Sequence, residues 1–401
     1  MQKLLLITTA FVFSCGSILA DDDAHQLAQD NSAFAFDLYH QLSGKEGNLF
    51  FSPYSISTAL GMTYGGARGE TASQMAEVLH FSLPEDKLHP AFAELRSRLN
   101  DAQGKDKVTL AIANSIWPSD QYKILDSYIG FLKSDYGVSV TPLNYNKPEA
   151  ARAIINTWVE NKTQNKIKDL IGDGVLTPDT KLTLVNAIYF YGKWLNPFQP
   201  KATEEGSFQI TPDNTKKVSM MSQTAEFPYA DLDSLQVVEL PYQGDELSML
   251  IVLPKSTDGL STLESRLSQK TLNEWTGKLV KTEIIVRLPK FKITWGTELL
   301  NGKLKKLGMR DAFDGNANFS GMDGDPHGLF IGAVLHKAFI DVKEEGTEAA
   351  AATAVVMTRC VAPEVKPVFL ADHPFLFLIQ ENKTGSVLFM GRVIDPKASG
   401  D

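Results

Sequence analysis

The sequence predicts an α+β fold in one large domain, on three observations. Helical apolar spacing dominates the first half of the chain. Strand patterns crowd the second half without the regular β-α-β alternation of a parallel α/β sheet. No internal repeat, low-complexity linker or charge block divides the 401 residues, of which 43% are hydrophobic and 22% charged, ordinary values for a folded chain with a sizeable core.

Met1 to Ala20 reads as an export leader: Lys3 is the basic start, Leu4 to Phe13 the apolar run, and Ala20 a small residue before three aspartates. The domain is therefore expected over residues 21–401, and the location as secreted and extracellular, or periplasmic in a bacterium. From Asp21 to Leu42, Leu27, Phe34, Leu38 and Leu42 recur at helical spacing. Phe50 to Ser55 turns from strand to helix at Pro53, which suits a first helical turn, and Gly65-Gly66 ends that helix. Helices are expected at Thr71–Leu79 and Glu149–Lys162, with strands at Val108–Trp117 and Val138–Leu143. Leu182–Phe190 is apolar except for Asn186, as in a strand buried on both faces. Strands follow at Val218–Met221, Gln236–Leu240, Ser248–Leu253 and Glu283–Leu288, and helices at Leu260–Leu267 and Leu299–Leu307. Val365–Phe369, Phe375–Ile379 and Val387–Val393 close the chain as strands.

Several function classes find no support. A net charge of −9 favours neither nucleic acid nor an anionic membrane, and after the leader no stretch is apolar enough to span one. The chain carries no Gly-x-Ser-x-Gly elbow, no His-Glu-x-x-His pair and no Walker loop. Gly65-Gly66-x-x-Gly69 follows a helix rather than a strand. No cofactor, metal or catalytic residue is expected, and the chain is read as no enzyme. Lys87, Arg96, Arg98, Lys105 and Lys107 are read as a solvated helix face rather than a polyanion site. With two cysteines, one inside the leader, no disulfide framework exists.

Lys343 to Cys360 carries two propensities at once. Glu345-Gly-Thr-Glu348 followed by Ala349, Ala350, Ala351 and Ala352 suits a capped helix, whereas Thr353, Val355, Val356 and Thr358 favour strand. A segment that is loop at one moment and strand at another has this composition.

Dispersed motifs in order carry a family resemblance: Asn48-Leu-Phe-Phe-Ser-Pro-Tyr-Ser-Ile-Ser57, Gly65-Gly-Ala-Arg-Gly-Glu-Thr71, Leu184-Val-Asn-Ala-Ile-Tyr-Phe190 with Gly192-Lys-Trp194, Leu288-Pro-Lys-Phe291, Lys343 to Ala352, Asp372-His-Pro-Phe-Leu-Phe377 and Gly391-Arg-Val-Ile-Asp-Pro396. From about residue 25 to Pro396 the chain resembles the serpins, inhibitory type. The resemblance implies three β-sheets, about nine helices, and an exposed C-terminal reactive loop, about residues 344–366, on a metastable fold. It implies a monomeric suicide inhibitor that holds a serine protease in a covalent 1:1 complex by inserting the loop into the large sheet. The loop hinge would be Glu344, Glu345, Gly346, Thr347, Glu348 and Ala349 to Ala352. In an inserted strand Thr347, Ala349, Ala351 and Thr353 would face the core and Glu348, Ala350 and Ala352 the outside. Ser52, Ser55, Asn186 and His336 would form a sheet-opening cluster, and Trp194 would mark the top of the sheet.

The attacked bond has two readings. The usual family loop length, counted from Glu344, ends at Cys360 and gives Cys360-Val361. Counting back from Ala362-Pro-Glu-Val-Lys366 gives Arg359-Cys360, the preferred reading. Arg359 suits a trypsin-like pocket with its buried carboxylate, whereas Cys360, a small apolar side chain, suits an elastase-like one. The alternative function is a non-inhibitory serpin, a carrier, storage protein or chaperone, against which the small-residue hinge argues.

Overall fold

The computed structural model describes residues 13–104, 107–347 and 366–397, with side chains from residue 22 onward. Helix α1 (Phe13–Leu42) runs unbroken across the junction expected to end the leader. Strand β1 (Leu49–Phe51) leads into α2 (Pro53–Tyr64), whose N-cap Ser52 accepts the Ser55 N–H at 3.2 Å. Next come α3 (Gly69–Val78), α4 (Glu85–Asp101), β2 (Val108–Pro118), α5 (Asp126–Phe131), α6 (Pro148–Lys162) and β3 (Leu182–Lys193). Strands β4 (Glu204–Thr211), β5 (Asn214–Asp231), β6 (Leu235–Pro241) and β7 (Leu247–Pro254) precede α7 (Leu260–Ser265) and α8 (Gln269–Thr276). Then β8 (Val280–Pro289), β9 (Phe291–Leu299), α9 (Asn301–Leu307), α10 (Ser320–Asp323) and β10 (Ala333–Lys343) follow. Strands β11 (Gly346–Thr347), β12 (Val368–Leu370), β13 (Phe375–Glu381) and β14 (Val387–Val393) complete the order.

These strands form two hydrogen-bonded sheets. One runs β1-β14-β13-β7-β6-β5-β8-β12, with β4 paired to β5; the other runs β2-β3-β11-β10-β9. Eighteen-residue β5 pairs with β4, β6 and β8 along its length, which joins into one path what the resemblance counts as two sheets. The five-stranded sheet separates two cores. A large one holds Leu184, Ile188 and Phe190 with α1, α2 and β14, and a smaller one holds Val185, Ala187 and Tyr189 with Ile155 and Val159 of α6. Strand β3 is thus buried on both faces, which explains its unbroken apolar run.

Three local expectations differ from the structure. Val138–Leu143 touches β2 only at the isolated bridges Ile116–Val140 and Ser119–Leu143 and forms no ladder. The helix face expected at Lys87, Arg96 and Arg98 belongs to α4, whose extent was not anticipated: Pro90 sits inside it and removes one backbone donor where the apolar pattern would otherwise read through. Strand β10 was hidden because His336, Lys337 and Asp341 interrupt its apolar residues.

Phe50 stacks on Phe389 and Phe377 at ring-centroid distances of 5.2 and 5.7 Å, fixing β1 over β14 and β13. Gly391 lies directly across from Phe50 and Phe377, and a Cβ there would meet the Leu49 carbonyl oxygen at 2.4 Å. Gly391→Ala is therefore expected to overpack this junction and destabilise the fold by about 1–3 kcal/mol. A lower midpoint of urea unfolding followed by tryptophan fluorescence is the expected result.

Candidate functional site

Three polar residues stand in one row across the five-stranded sheet. Asn114 of β2 is directly opposite Asn186 of β3, and Asn186 is opposite His336 of β10. Strands β3 and β10 run parallel, paired from Thr183–Ala333 to Tyr189–Phe339. The row rests on the start of α2. Asn186 Nδ2 donates to Ser55 Oγ and Asn114 Oδ1, both at 2.5 Å. Ser55 Oγ donates to Asn114 Oδ1 at 3.0 Å, and Asn114 Nδ2 returns a bond to the Ser55 carbonyl at 3.2 Å.

His336 closes the row. Its Nε2 accepts the Ser52 N–H at 3.1 Å, so the ring is the tautomer whose Nδ1–H donates to Asn186 Oδ1. Ser52 Oγ donates to the Leu388 carbonyl of β14 at 2.6 Å. Ser52, Ser55, Asn186 and His336 are all fully buried, and burial pushes the His336 pKa down to about 3, leaving a neutral imidazole at ordinary pH. The four residues expected as a sheet-opening cluster are thus brought together. Asn114 was missed, and only the strand register reveals its membership.

Beyond Tyr189 and Phe339 the parallel strands part, and β11 lies between them. Gly346 and Thr347 pair antiparallel with Lys193 and Gly192 of β3 on one side, and with Lys343 and Val342 of β10 on the other. Glu344 and Glu345 form the turn. Their carbonyls accept the Phe198 and Trp194 N–H groups at 2.8 and 2.9 Å, while Trp194 Nε1 donates to the Lys343 carbonyl at 3.0 Å. Trp194 therefore lies where these strands diverge. The Glu344 carboxylate meets Lys290 at 3.0 Å and the Thr203 hydroxyl at 2.9 Å. Burial alone would raise that carboxyl, but a backbone N–H, Lys290 and Thr203 outweigh it and hold it below the usual range.

Thr347 is fully buried, its hydroxyl 3.1 Å from that of Tyr242, and Tyr242 stacks on Trp194 at 4.6 Å. Gly346 has φ +154°, and a Cβ there would stand 2.0 Å from the Gly192 carbonyl oxygen. Only glycine fits that approach. Tyr242, Lys290 and Thr203 were not anticipated, because each reaches the hinge from a distant strand or loop.

Glu348, Ala349, Ala350, Ala351 and Ala352 of the hinge, and Arg359, Cys360 and Val361 at the expected bond, lie outside the described residues. So does Lys105. Among the other basic residues singled out, Lys87 pairs with Asp23, Arg98 with Glu94 and Lys107 with Glu246. No helix among the described residues is long and apolar enough to cross a membrane.

The family model described as serpin (serine protease inhibitor) matches residues 29–396. The chain is 41% identical to human serpin B4, in an alignment covering 93% of this chain and the whole of that protein. It is also 41% identical to leukocyte elastase inhibitor A of Rattus norvegicus, over 92% of this chain and all of that one. Among solved structures it resembles Serpin48 of the insect Tenebrio molitor, with a TM-score of 0.84 at 33% identity over 93% of this chain and 98% of that chain. Two expectations are corrected here. Export does not stand: these full-length relatives are serpin B proteins and leukocyte elastase inhibitors, a group typically intracellular and without a leader. The reading as no enzyme is withdrawn, since these relatives are protease inhibitors that act as suicide substrates and bear on catalysis by this chain in neither direction. Motifs, sheet order and relatives agree: the chain belongs to the serpin family, inhibitory type.

Proposed function

We propose that the chain traps a serine protease as a covalent one-to-one acyl-enzyme, acting as a monomer. The protease serine Oγ bonds to the carbonyl carbon of Arg359, the peptide bond to Cys360 breaks, and Cys360 leaves as the new amino terminus. The freed segment enters between β3 and β10 before water can cleave the ester. About 13 residues at ~3.3 Å each carry the tethered protease on the order of 40 Å. The pull deforms its catalytic triad, for which a small misplacement is enough to stop deacylation.

The observation that carries this reading is the seating of Gly346 and Thr347 between β3 and β10, antiparallel to both. The next residues would continue the strand by parting the pairs below, exchanging one parallel ladder for two antiparallel ones. Antiparallel pairing is somewhat the more stable per residue. The row at Asn186 and His336 must open for this to happen. Arg359 favours a trypsin-like target; the relative named leukocyte elastase inhibitor makes an elastase the second candidate.

Incubation with trypsin and with pancreatic elastase, followed by denaturing electrophoresis, is expected to give a band that survives SDS at the summed mass less the released C-terminal peptide. The released C-terminal peptide is expected to begin at Cys360 by mass spectrometry; a start at Val361 moves the bond by one residue. Clean cleavage by both proteases with no complex would sink the inhibitory reading. In Thr347→Arg a charge replaces a buried hydroxyl, at a cost of several kcal/mol when unpaired. That variant is expected to be cut at the same bond while its complex yield collapses.

Acid should loosen the seam. The folded pKa of His336 lies below the roughly 6.5 of an unfolded histidine, so in that window the unfolded chain binds more protons. The stability His336 contributes is full above pH ~6.5 and declines as pH falls toward its folded pKa. Between pH 7.5 and 5 the loss is about 2 kcal/mol, and His89, whose pKa burial lowers to about 4, adds a loss of the same sign. His336→Gln is expected to flatten the fall of the urea midpoint over that range; an unchanged pH profile would contradict a neutral, buried imidazole.

A further inference from the structure

Away from the sheet, an acidic cleft opens between the start of α4 and the turn Leu132–Tyr136 that follows α5. Gly65, Glu85, Asp86, His89, Phe131 and Asp135 line it. Glu85 and Asp86 suit the first turn of α4 through the helix dipole, which needs no ligand. His89 is different. It is 5% exposed, Tyr136 Oη lies 2.7 Å from its Nδ1, and its ring meets Phe131 edge-on at 4.6 Å. Its Nε2 is buried and has no hydrogen-bond partner. Glu85, one helical turn earlier, places Oε1 3.9 Å from that nitrogen, beyond hydrogen-bond reach.

The charged side chains lining the cleft are acidic, while at its margins Arg68 donates to the Gly65 carbonyl at 3.1 Å and Arg96 to the Ser134 carbonyl at 3.5 Å. Glu85 and Asp86 face it from α4 and Asp135 from the turn below, while Gly65 and Phe131 bring no charge. Among the described residues none of the three carboxylates pairs with a lysine or arginine; Asp135 accepts only the Ser134 hydroxyl, at 2.7 Å. Burial keeps His89 neutral at ordinary pH, so the histidine supplies no cation either.

We propose that this cleft binds a divalent metal ion of the zinc class, held by His89 Nε2 and the Glu85 carboxylate. Zinc bonds to imidazole nitrogen and carboxylate oxygen are about 2.0–2.2 Å each. Two donors 3.9 Å apart can therefore both reach one ion seated between them at an obtuse angle. Spacing of four residues on a helix puts both donors on one face. A metal on Nε2 leaves Nδ1–H to donate to Tyr136 Oη, the outer contact that fixes a ligating ring. The imidazole selects against calcium and magnesium, which prefer oxygen donors. Among the described residues no three such donors are already gathered round one point. The ion would complete its shell with water and with Asp135 or Asp86, and the Glu85 side chain, 54% exposed, is free to adjust to it. With Asp135 as a ligand, the ion ties α4 to the Leu132–Tyr136 turn.

The test uses the full, tag-free protein, titrated with zinc chloride by calorimetry and with cobalt(II) by visible absorption. One ion is expected to bind per chain, reversibly on adding a chelator, and to raise the thermal midpoint. Glu85→Gln, a change on the solvent side, should weaken binding by about tenfold or more, as should His89→Gln. No binding by the unaltered protein overturns the proposal, and so does zinc affinity unchanged in Glu85→Gln, even if His89→Gln fails to fold.

Discussion

The contact between Asn186 and His336 is the constraint on which the rest of the structure depends. It spans the seam between two parallel strands, and the bonds around it run outward on the side of the large core: to β2 through Asn114, to α2 through Ser55 and Ser52, and to β14 through the Leu388 carbonyl. All its members are uncharged. A neutral buried hydrogen bond contributes about 1 kcal/mol net, whereas a charge left without its partner in the same place costs several times more. The row therefore holds the seam closed through several modest hydrogen bonds and without a buried charge.

Much of this was legible in the sequence, and the gaps have physical causes. The buried strand at Leu182–Phe190 announced itself by an apolar run with one asparagine; the quoted motifs contain Ser52, Ser55 and Asn186, and the wider family resemblance added His336. Asn114 gave no local signal, because a single asparagine in a strand becomes meaningful only when β2 is registered against β3. Tyr242, Lys290 and Thr203 gave no local signal for the same reason: they lie far along the chain from Glu344 and Thr347 and reach them only through tertiary packing. The alternating pattern at Val138–Leu143 misled in the other direction. It has strand character, yet it meets β2 at only two isolated bridges, so the ladder that its composition suggests does not form.

At the hinge, charge and shape divide the work. Glu344 is tethered sideways to Lys290 and Thr203, outside the ladder, while Gly346 and Thr347 enter it. The turn thus fixes which residue is the first to occupy the seam. It also fixes which way that residue points, since side chains alternate between faces and Thr347 already meets Tyr242 in the large core. A one-residue slip would turn the threonine away from its partner and place a side chain where the Gly192 carbonyl leaves no room.

The burial of β3 on both faces extends this constraint along the seam. Leu184, Ile188 and Phe190 face one core and Val185, Ala187 and Tyr189 the other, so a strand entering beside them meets packed side chains above and below. Large side chains on a strand beside them would crowd both cores. What the seam accepts is small on both sides. The sequence supplies four successive alanines, Ala349 to Ala352, directly after the one glutamate that follows Thr347. On the proposed insertion, the two propensities of that stretch become one requirement: side chains small enough to enter a closed sheet without displacing either core.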